Sequence, residues 1–221
     1  MDKYLMSIGL KFGFFYYINS YNIYVINFNV IFVDTNTHSL ESLLSSCFLS
    51  ERNLNELSRF KLEETKKEKA ASLILKNKYV GEYQVNEFGK PISEKCYFNI
   101  SHCKGVVVFV KDDFPIGIDI EKIRPIEDDL RDYISSKEEK VFIKDDEQFF
   151  KIWTNKESLT KCLGTGIKNK ISEIPALPIT GIKTYQNKTL YSRTIKYQDY
   201  VLSITRDNKE PFEIIIQEER L

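Results

Sequence analysis

Cysteine, histidine, glycine and proline are all scarce in this 221-residue chain, and each shortage excludes something. The four cysteines, Cys47, Cys96, Cys103 and Cys162, form no C-x-x-C pair and are too sparse for a disulfide scaffold. The only two histidines, His38 and His102, complete no zinc spacing with them, so the cysteines read as reduced thiols of a cytosolic protein. Nine Gly and six Pro exclude a collagen-like or low-complexity chain. An excess of charge is missing too: 32 Lys and Arg face 32 Asp and Glu. That balance removes any global electrostatic case for a nucleic-acid partner. What is plentiful is apolar material. Hydrophobic residues at 42%, with 13 Tyr and 15 Phe, exclude a disordered chain and suffice for a sizeable core. The length allows one large domain or two small ones.

One uncharged run stands out near the N-terminus. Phe12 to Val33 is 22 residues long, enough to span a bilayer. Asn19, Asn22, Asn27 and Asn29 interrupt it, and Ile23, Val25 and Phe28 alternate with polar neighbours. That pattern suits strands better than a lipid-facing helix, and no A-x-A-like cleavage site follows a short apolar segment. The expectation is a soluble chain with no membrane partner; residues 1–20 form an extension of unclear role.

Further on, Ile23 to Val33 reads as strand, ending in turn residues Asp34-Thr35-Asn36. Ser39 to Leu49 reads as helix, Ser50 as the cap of another helix, and Glu63 to Tyr79 as a long basic helix stopped near Gly81. Val106 to Val110 is an almost unbroken apolar strand, Lys111-Asp112-Asp113 a turn, and Ile116 to Ile120 a second strand. Helices are expected over Ser135 to Phe142 and Asp146 to Leu163, the latter ended by Gly164. Short β-like runs follow, including Tyr200 to Ile204 and Phe212 to Ile216. Strands and helices mix without a βαβ rhythm, so the fold class is α+β. Charge is segregated along this path. Arg59 to Lys78 carries seven Lys or Arg against three Glu, a net of +4; Lys111 to Glu147 carries seven against thirteen, a net of −6.

Three constellations could carry chemistry. In Gly117-Ile118-Asp119-Ile120-Glu121, the two acids lie at i and i+2 of a strand and project together, a pairing suited to a hard cation such as Mg²⁺. In Trp153-Thr154-Asn155-Lys156-Glu157-Ser158-Leu159-Thr160-Lys161, Glu157 and Lys161 share a helix face at i, i+4. Phe98-Asn99-Ile100-Ser101-His102, preceded by Gly89-Lys90-Pro91, offers a hydroxyl, an imidazole and an ammonium for a phosphate. Taken singly, each is an ordinary feature: a solvated pair of acids, a surface ion pair, a packed histidine. No partner for a Ser–His–acid triad is visible, so Ser101 is not read as a nucleophile.

Their order is more telling. G-K-P, then F-N-x-S-H, then G-I-D-I-E, then W-x-x-K-E-S-x-x-K-x-x-G-x-G-I, running from Gly89 to Ile167, resembles the Sfp-type 4′-phosphopantetheinyl transferases. The resemblance implies two similar α+β lobes related by a pseudo-twofold, here 21–112 and 113–221, meeting near residues 111 to 116. It implies transfer of the phosphopantetheine arm of coenzyme A to a serine of an apo acyl or peptidyl carrier protein, releasing adenosine 3′,5′-bisphosphate. By the same resemblance, Asp119, Glu121 and Glu157 match the ligands of Mg²⁺ (Mn²⁺ being an acceptable substitute). Glu157 also matches the acid that takes the serine proton, and Lys161 the lysine near the α-phosphate. Lys90, Ser101 and His102 match nucleotide contacts, and a cytoplasmic monomer is implied. One stretch departs from the pattern: where the family often has basic residues for the 3′-phosphate, this chain reads Asn53 and Glu56. Arg52 and the basic helix with Lys66, Lys67 and Lys69 are the candidate replacements, Lys69 being the one assigned to the nucleotide. Glu138 resembles a further acid near the site. A catalytically idle homologue that only binds coenzyme A or carrier protein is the competing expectation.

Overall fold

The computed structural model describes residues 17–18, 24–46, 49–87, 89–167 and 170–221. Most of the expected N-terminal extension, and Cys47, lie outside the described residues, as does the side chain of Arg52.

The chain begins with β1 (Tyr17–Ile18) and β2 (Tyr24–Asp34), then three helices, α1 (Leu40–Ser45), α2 (Glu51–Ser58) and α3 (Glu63–Tyr79). A two-strand hairpin, β3 (Gln84–Val85) and β4 (Pro91–Ile92), leads to β5 (Tyr97–Cys103), β6 (Val106–Asp112) and β7 (Ile116–Lys122). Helices α4 (Asp128–Ile134), α5 (Lys137–Phe142) and α6 (Asp146–Leu163) follow, then β8 (Gly181–Tyr185), β9 (Lys188–Tyr197), β10 (Tyr200–Arg206) and β11 (Phe212–Glu218).

Local chemistry explains the boundaries. Ser39 caps α1, and Ser50 with Asn53 closes a capping box on α2. Helix α3 opens on Glu63 and Glu64 and closes on Lys76 and Lys78, each charge matched to the dipole end it meets. Helix α6 opens on Asp145, whose side chain accepts from the Gln148 N–H at 2.7 Å. It ends at Gly164, whose φ of 71° is the left-handed conformation that a helix C-cap needs.

Two sheets organise the described residues. The first runs β1-β2-β6-β5, with β11 added parallel to β2; the second is antiparallel, β7-β10-β9-β8. Their inner faces share one core: Phe28, Val30, Phe32, Val106 and Val108 meet Ile116, Ile118, Ile120, Leu202 and Ile204. Helix α3 covers the other face of the first sheet through Ala71 and Leu75, against Val33, Val107 and Phe109. Helix α6 covers the second through Phe149, Leu159 and Cys162, against Leu190 and Val201. The result is a mixed α+β architecture with a helix outside each sheet. A buried ion pair ties the two sheets together, Arg206 of β10 donating to both carboxylate oxygens of Asp112 at 2.5 and 3.2 Å.

Several elements differ from the sequence-based expectation. Asp112 belongs to a strand and not to a turn, because β6 continues along β5 until Asp112 pairs with Tyr97. Helix α4 was not expected; its Leu130, Tyr133 and Ile134 stand at helical spacing, but of its seven residues only Ile134 is buried. Residues 212–218 lie beyond the expected boundary at 112/113 yet hydrogen-bond in the first sheet. The long uncharged run, by contrast, is strand from Tyr24 onward as expected, β2 being held by β6 and β11. No helix among the described residues is long and apolar enough to cross a membrane.

Candidate active site

Helix α6 reaches its place because Gly117 lets it. A Cβ built at Gly117 would lie 2.0 Å from the Ser158 carbonyl oxygen and 2.3 Å from the Cys162 nitrogen, so the helix backbone rests directly on β7. That close approach sets Glu157 and Lys161 beside Asp119. Lys161 Nζ lies 2.5 Å from Asp119 Oδ1 and donates to Ser101 Oγ at 3.0 Å, and Ser101 Oγ donates to the same Asp119 oxygen at 2.9 Å. Neighbouring Asn99 fixes β5 against β7, its Oδ1 accepting from the Ile118 N–H at 2.9 Å. Asn99 and Ser101 thus stitch the first sheet to the second at the acidic strand.

The acids are not equivalent. Burial pushes Asp119 above the usual carboxylate range, while Lys161 and Ser101 pull it back. Burial also raises Glu157, and the neighbouring charge of Asp119 adds to the effect against Lys161. Glu121 Oε2 accepts from Arg124 at 2.9 Å and from the Cys103 thiol at 3.3 Å. Among the described residues, no three His, Cys, Asp or Glu stand close enough together to form a ready-made metal cage. A donor for a cation is nevertheless present: Asp119 Oδ2 is buried with no hydrogen-bond partner. With Glu121 near enough for its charge to add to the raising of Glu157, the donor set is all oxygen and suits a hard divalent ion.

Glu157 and Lys161 face a cleft of about 910 Å³ whose other wall is built by α2, α3, β5 and the β3–β4 hairpin. Lys69, Lys76, Lys90, His102, Glu56 and Tyr83 line it. Lys69 Nζ and His102 Nε2 are 3.0 Å apart. Burial and the charge of Lys76 push the Lys69 ammonium down, which an anion in the cleft would relieve. Lys90 reaches across the cleft, donating from Nζ to the carbonyl oxygens of Lys161 and Cys162.

Not every residue named from the sequence reaches this cleft. Ser101 and Asp119 are both buried and bonded to one another, and neither they nor Glu121 are among the lining residues. Asn53 lines the cleft, but its side-chain oxygen accepts from the Ser50 N–H and hydroxyl. Glu138 is exposed on the first turn of α5, bonded to the Ser136 hydroxyl, and does not line the cleft. Its neighbour Glu139 is the buried one. It pairs with Lys156 Nζ at 2.7 Å and accepts from the Ala176 N–H at 3.1 Å, while Lys156 also donates to the carbonyls of Ile171 and Ile174. Lys156 is fully buried, and its place next to Glu157 in the sequence motif is the only signal that could have pointed to it.

These motifs define a class. Residues 115–205 match the family model of the 4′-phosphopantetheinyl transferase superfamily, and the chain resembles the Sfp-type enzymes within it. Particular relatives are 4′-phosphopantetheinyl transferase Sfp of Bacillus subtilis (strain 168), 39% identical over 94 residues, and gsp of Aneurinibacillus migulanus, 35% identical over 92. A third, psf-1 of Bacillus pumilus, is 35% identical over 101 residues. These alignments cover 38–40% of this chain and 39–42% of the relatives, so the chain spans about two-fifths of the length of the proteins it matches.

Proposed function

We propose that this protein transfers the 4′-phosphopantetheine arm of coenzyme A to a serine of an apo acyl or peptidyl carrier protein, releasing adenosine 3′,5′-bisphosphate. The observation that carries this reading is that Glu157 and Lys161, the latter paired to the buried Asp119, stand at one wall of a cleft whose opposite wall presents Lys69 and His102. An anionic nucleotide finds cations on one side and its pyrophosphate finds acids and a lysine on the other.

Phosphoryl transfer depends on positioning and charge neutralisation more than on covalent help from protein. Asp119, Glu121 and Glu157 would hold Mg²⁺ or Mn²⁺, and such an ion on the pyrophosphate would offset its negative charge. Glu157 takes the proton from the carrier serine as that oxygen attacks the phosphorus bearing the pantetheine arm. Lys161 is placed to meet the charge that grows on the departing phosphate as the P–O bond breaks. Ser101 keeps Asp119 and Lys161 in register from behind.

We read the chain as two lobes, 21–112 and 113–221, related by a pseudo-twofold, with β11 of the second crossing into the sheet of the first; a helix on the outer face of each sheet supports this. A cytoplasmic monomer with no nucleic-acid or membrane partner completes the proposal. Chromatography of a mixture of protein, Mg²⁺, coenzyme A and apo carrier tests it. Release of adenosine 3′,5′-bisphosphate that depends on the carrier supports transfer. Coenzyme A binding by calorimetry with no release identifies an idle binder.

A further inference from the structure

Helix α6 sits on hydroxyls as well as on Gly117. Ser203 of β10 is the strand partner of both Asp119 and Thr194, and Thr205 of both Gly117 and Ser192. The two rungs are two residues apart, so all these side chains point to one face of the second sheet. Opposite them stand Thr154, Asn155 and Ser158 of α6, all three fully buried. A hydroxyl has one proton to donate, which gives every bond a direction. Thr154 Oγ1 donates to the Phe150 carbonyl at 2.8 Å, so at 2.7 Å it accepts from Ser203. The Ser203 proton is then committed. Thr194 Oγ1, 2.7 Å from Ser203 Oγ, therefore donates to it while accepting from Asn155 Nδ2 at 3.0 Å. A second chain runs the same way. Ser158 Oγ donates to the Asn155 carbonyl at 3.0 Å, so it accepts from Thr205 at 2.8 Å, and Thr205 from Ser192 at 2.9 Å.

We propose that Ser203 and Thr205 are positioning residues for the transfer reaction: the two directed hydroxyl chains fix the rotation and height of α6, so that Glu157 and Lys161 face the cleft beside Asp119. Glu157 precedes Ser158 and Lys161 follows it by three residues, both within one turn of the contact. An apolar interface would hold the helix but tolerate small slides, because burial of apolar surface is non-directional. A chain of hydroxyls, each with one proton and one set acceptor, admits a single register. Asn155 joins the two chains, its side chain starting the first and its main-chain oxygen ending the second. Its other amide proton goes to the Ile179 carbonyl at 2.9 Å, which holds it in place. The seating of α6 follows from the chains alone; its part in transfer rests on the function proposed above.

Two substitutions at Thr205 separate this role from plain stability. Thr205→Val keeps the shape of the side chain but leaves the Ser192 hydroxyl without its acceptor and Ser158 without its donor; Thr205→Ser restores both. Ile204→Val is the control. Ile204 lies on the opposite face of β10, in the core shared by the two sheets, and its truncation costs stability away from α6. With Mg²⁺, coenzyme A and an apo carrier, Thr205→Val should lower kcat by about tenfold with KM for coenzyme A nearly unchanged. Thr205→Ser should recover most of that loss, and Ile204→Val should keep the wild-type kcat. Amide hydrogen exchange on the full chain is the second readout: Thr205→Val should speed exchange in residues 154–163 more than in α3, and Ile204→Val should not. Wild-type kcat in Thr205→Val, an equal loss in Ile204→Val, or no recovery in Thr205→Ser would overturn the proposal. So would faster exchange spread evenly along the chain. If the wild type modifies no carrier, the functional reading fails, and faster exchange confined to α6 in Thr205→Val still supports the seating of the helix.

Discussion

Lys90 of the β3–β4 hairpin donates from Nζ to the main-chain oxygens of Lys161 at 2.6 Å and Cys162 at 3.0 Å, at the C-terminal end of α6. Helix ends leave carbonyls unsatisfied and carry partial negative charge, so a half-buried ammonium there serves as a cap. Gly164 makes room for it: a Cβ at that position would come within 3.2 Å of Lys90 Cδ. The hairpin lysine therefore clips the helix that presents Glu157 and Lys161. Lys90→Met should lower stability by about 1 kcal/mol and reduce kcat more than it raises KM for coenzyme A. A rise in KM alone, with kcat intact, would show that Lys90 acts on the nucleotide and not on the helix.

Gly117 admits no side chain. Gly117→Ala must force α6 away from β7, and overpacking against backbone should cost about 3 kcal/mol. Urea unfolding should show the lower midpoint, and turnover should fall with it, because Glu157 and Lys161 ride on the displaced helix. An alanine variant of wild-type stability would mean that the helix does not sit on the strand as described.

The pair of Lys156 and Glu139 sits behind the site and holds the 171–176 segment. Removing one partner leaves a buried charge alone, so Lys156→Met should destabilise by about 3–5 kcal/mol. Replacing both, as Lys156→Met with Glu139→Leu, should recover part of that loss. Thermal or chemical denaturation of the two variants decides the point; equal losses would indicate that the two side chains are not coupled.

Asp119 and Glu157 are both raised above the ordinary carboxylate range. The folded protein binds their protons more tightly than the unfolded chain does. Metal-free stability is therefore lost as pH rises from the ordinary carboxylate range through the raised folded values. A divalent ion replaces those protons, so the gain in Tm on adding Mg²⁺ should be larger near about pH 8 than near about pH 5. An equal gain at both would place the ion on other groups.

Much of this was legible in the sequence where a local rule operates. Helix α3 spans Glu63–Tyr79 and α6 spans Asp146–Leu163, the limits that caps and charge placement predict. The alternation in 118–121 likewise predicts the buried Ile118 and Ile120. What escaped depends on distant partners. Nothing near Glu68 announces that it meets His102 and Gly105, and nothing in 212–218 says that it runs parallel to β2. Glu138 and Glu139 look alike in sequence; only the packing of α5 against Lys156 separates the exposed one from the buried one. Lys90 was legible as a site lysine, but its contact with the end of α6 was not.

Intact-mass measurement of an apo carrier protein incubated with this chain, Mg²⁺ and coenzyme A tests the central claim most directly. The account predicts that the carrier gains the mass of one phosphopantetheine. The gain should disappear in Asp119→Asn and Glu157→Gln proteins that remain folded by circular dichroism. A carrier panel left unmodified by folded wild-type protein, or modified at wild-type rates by both variants, would contradict it.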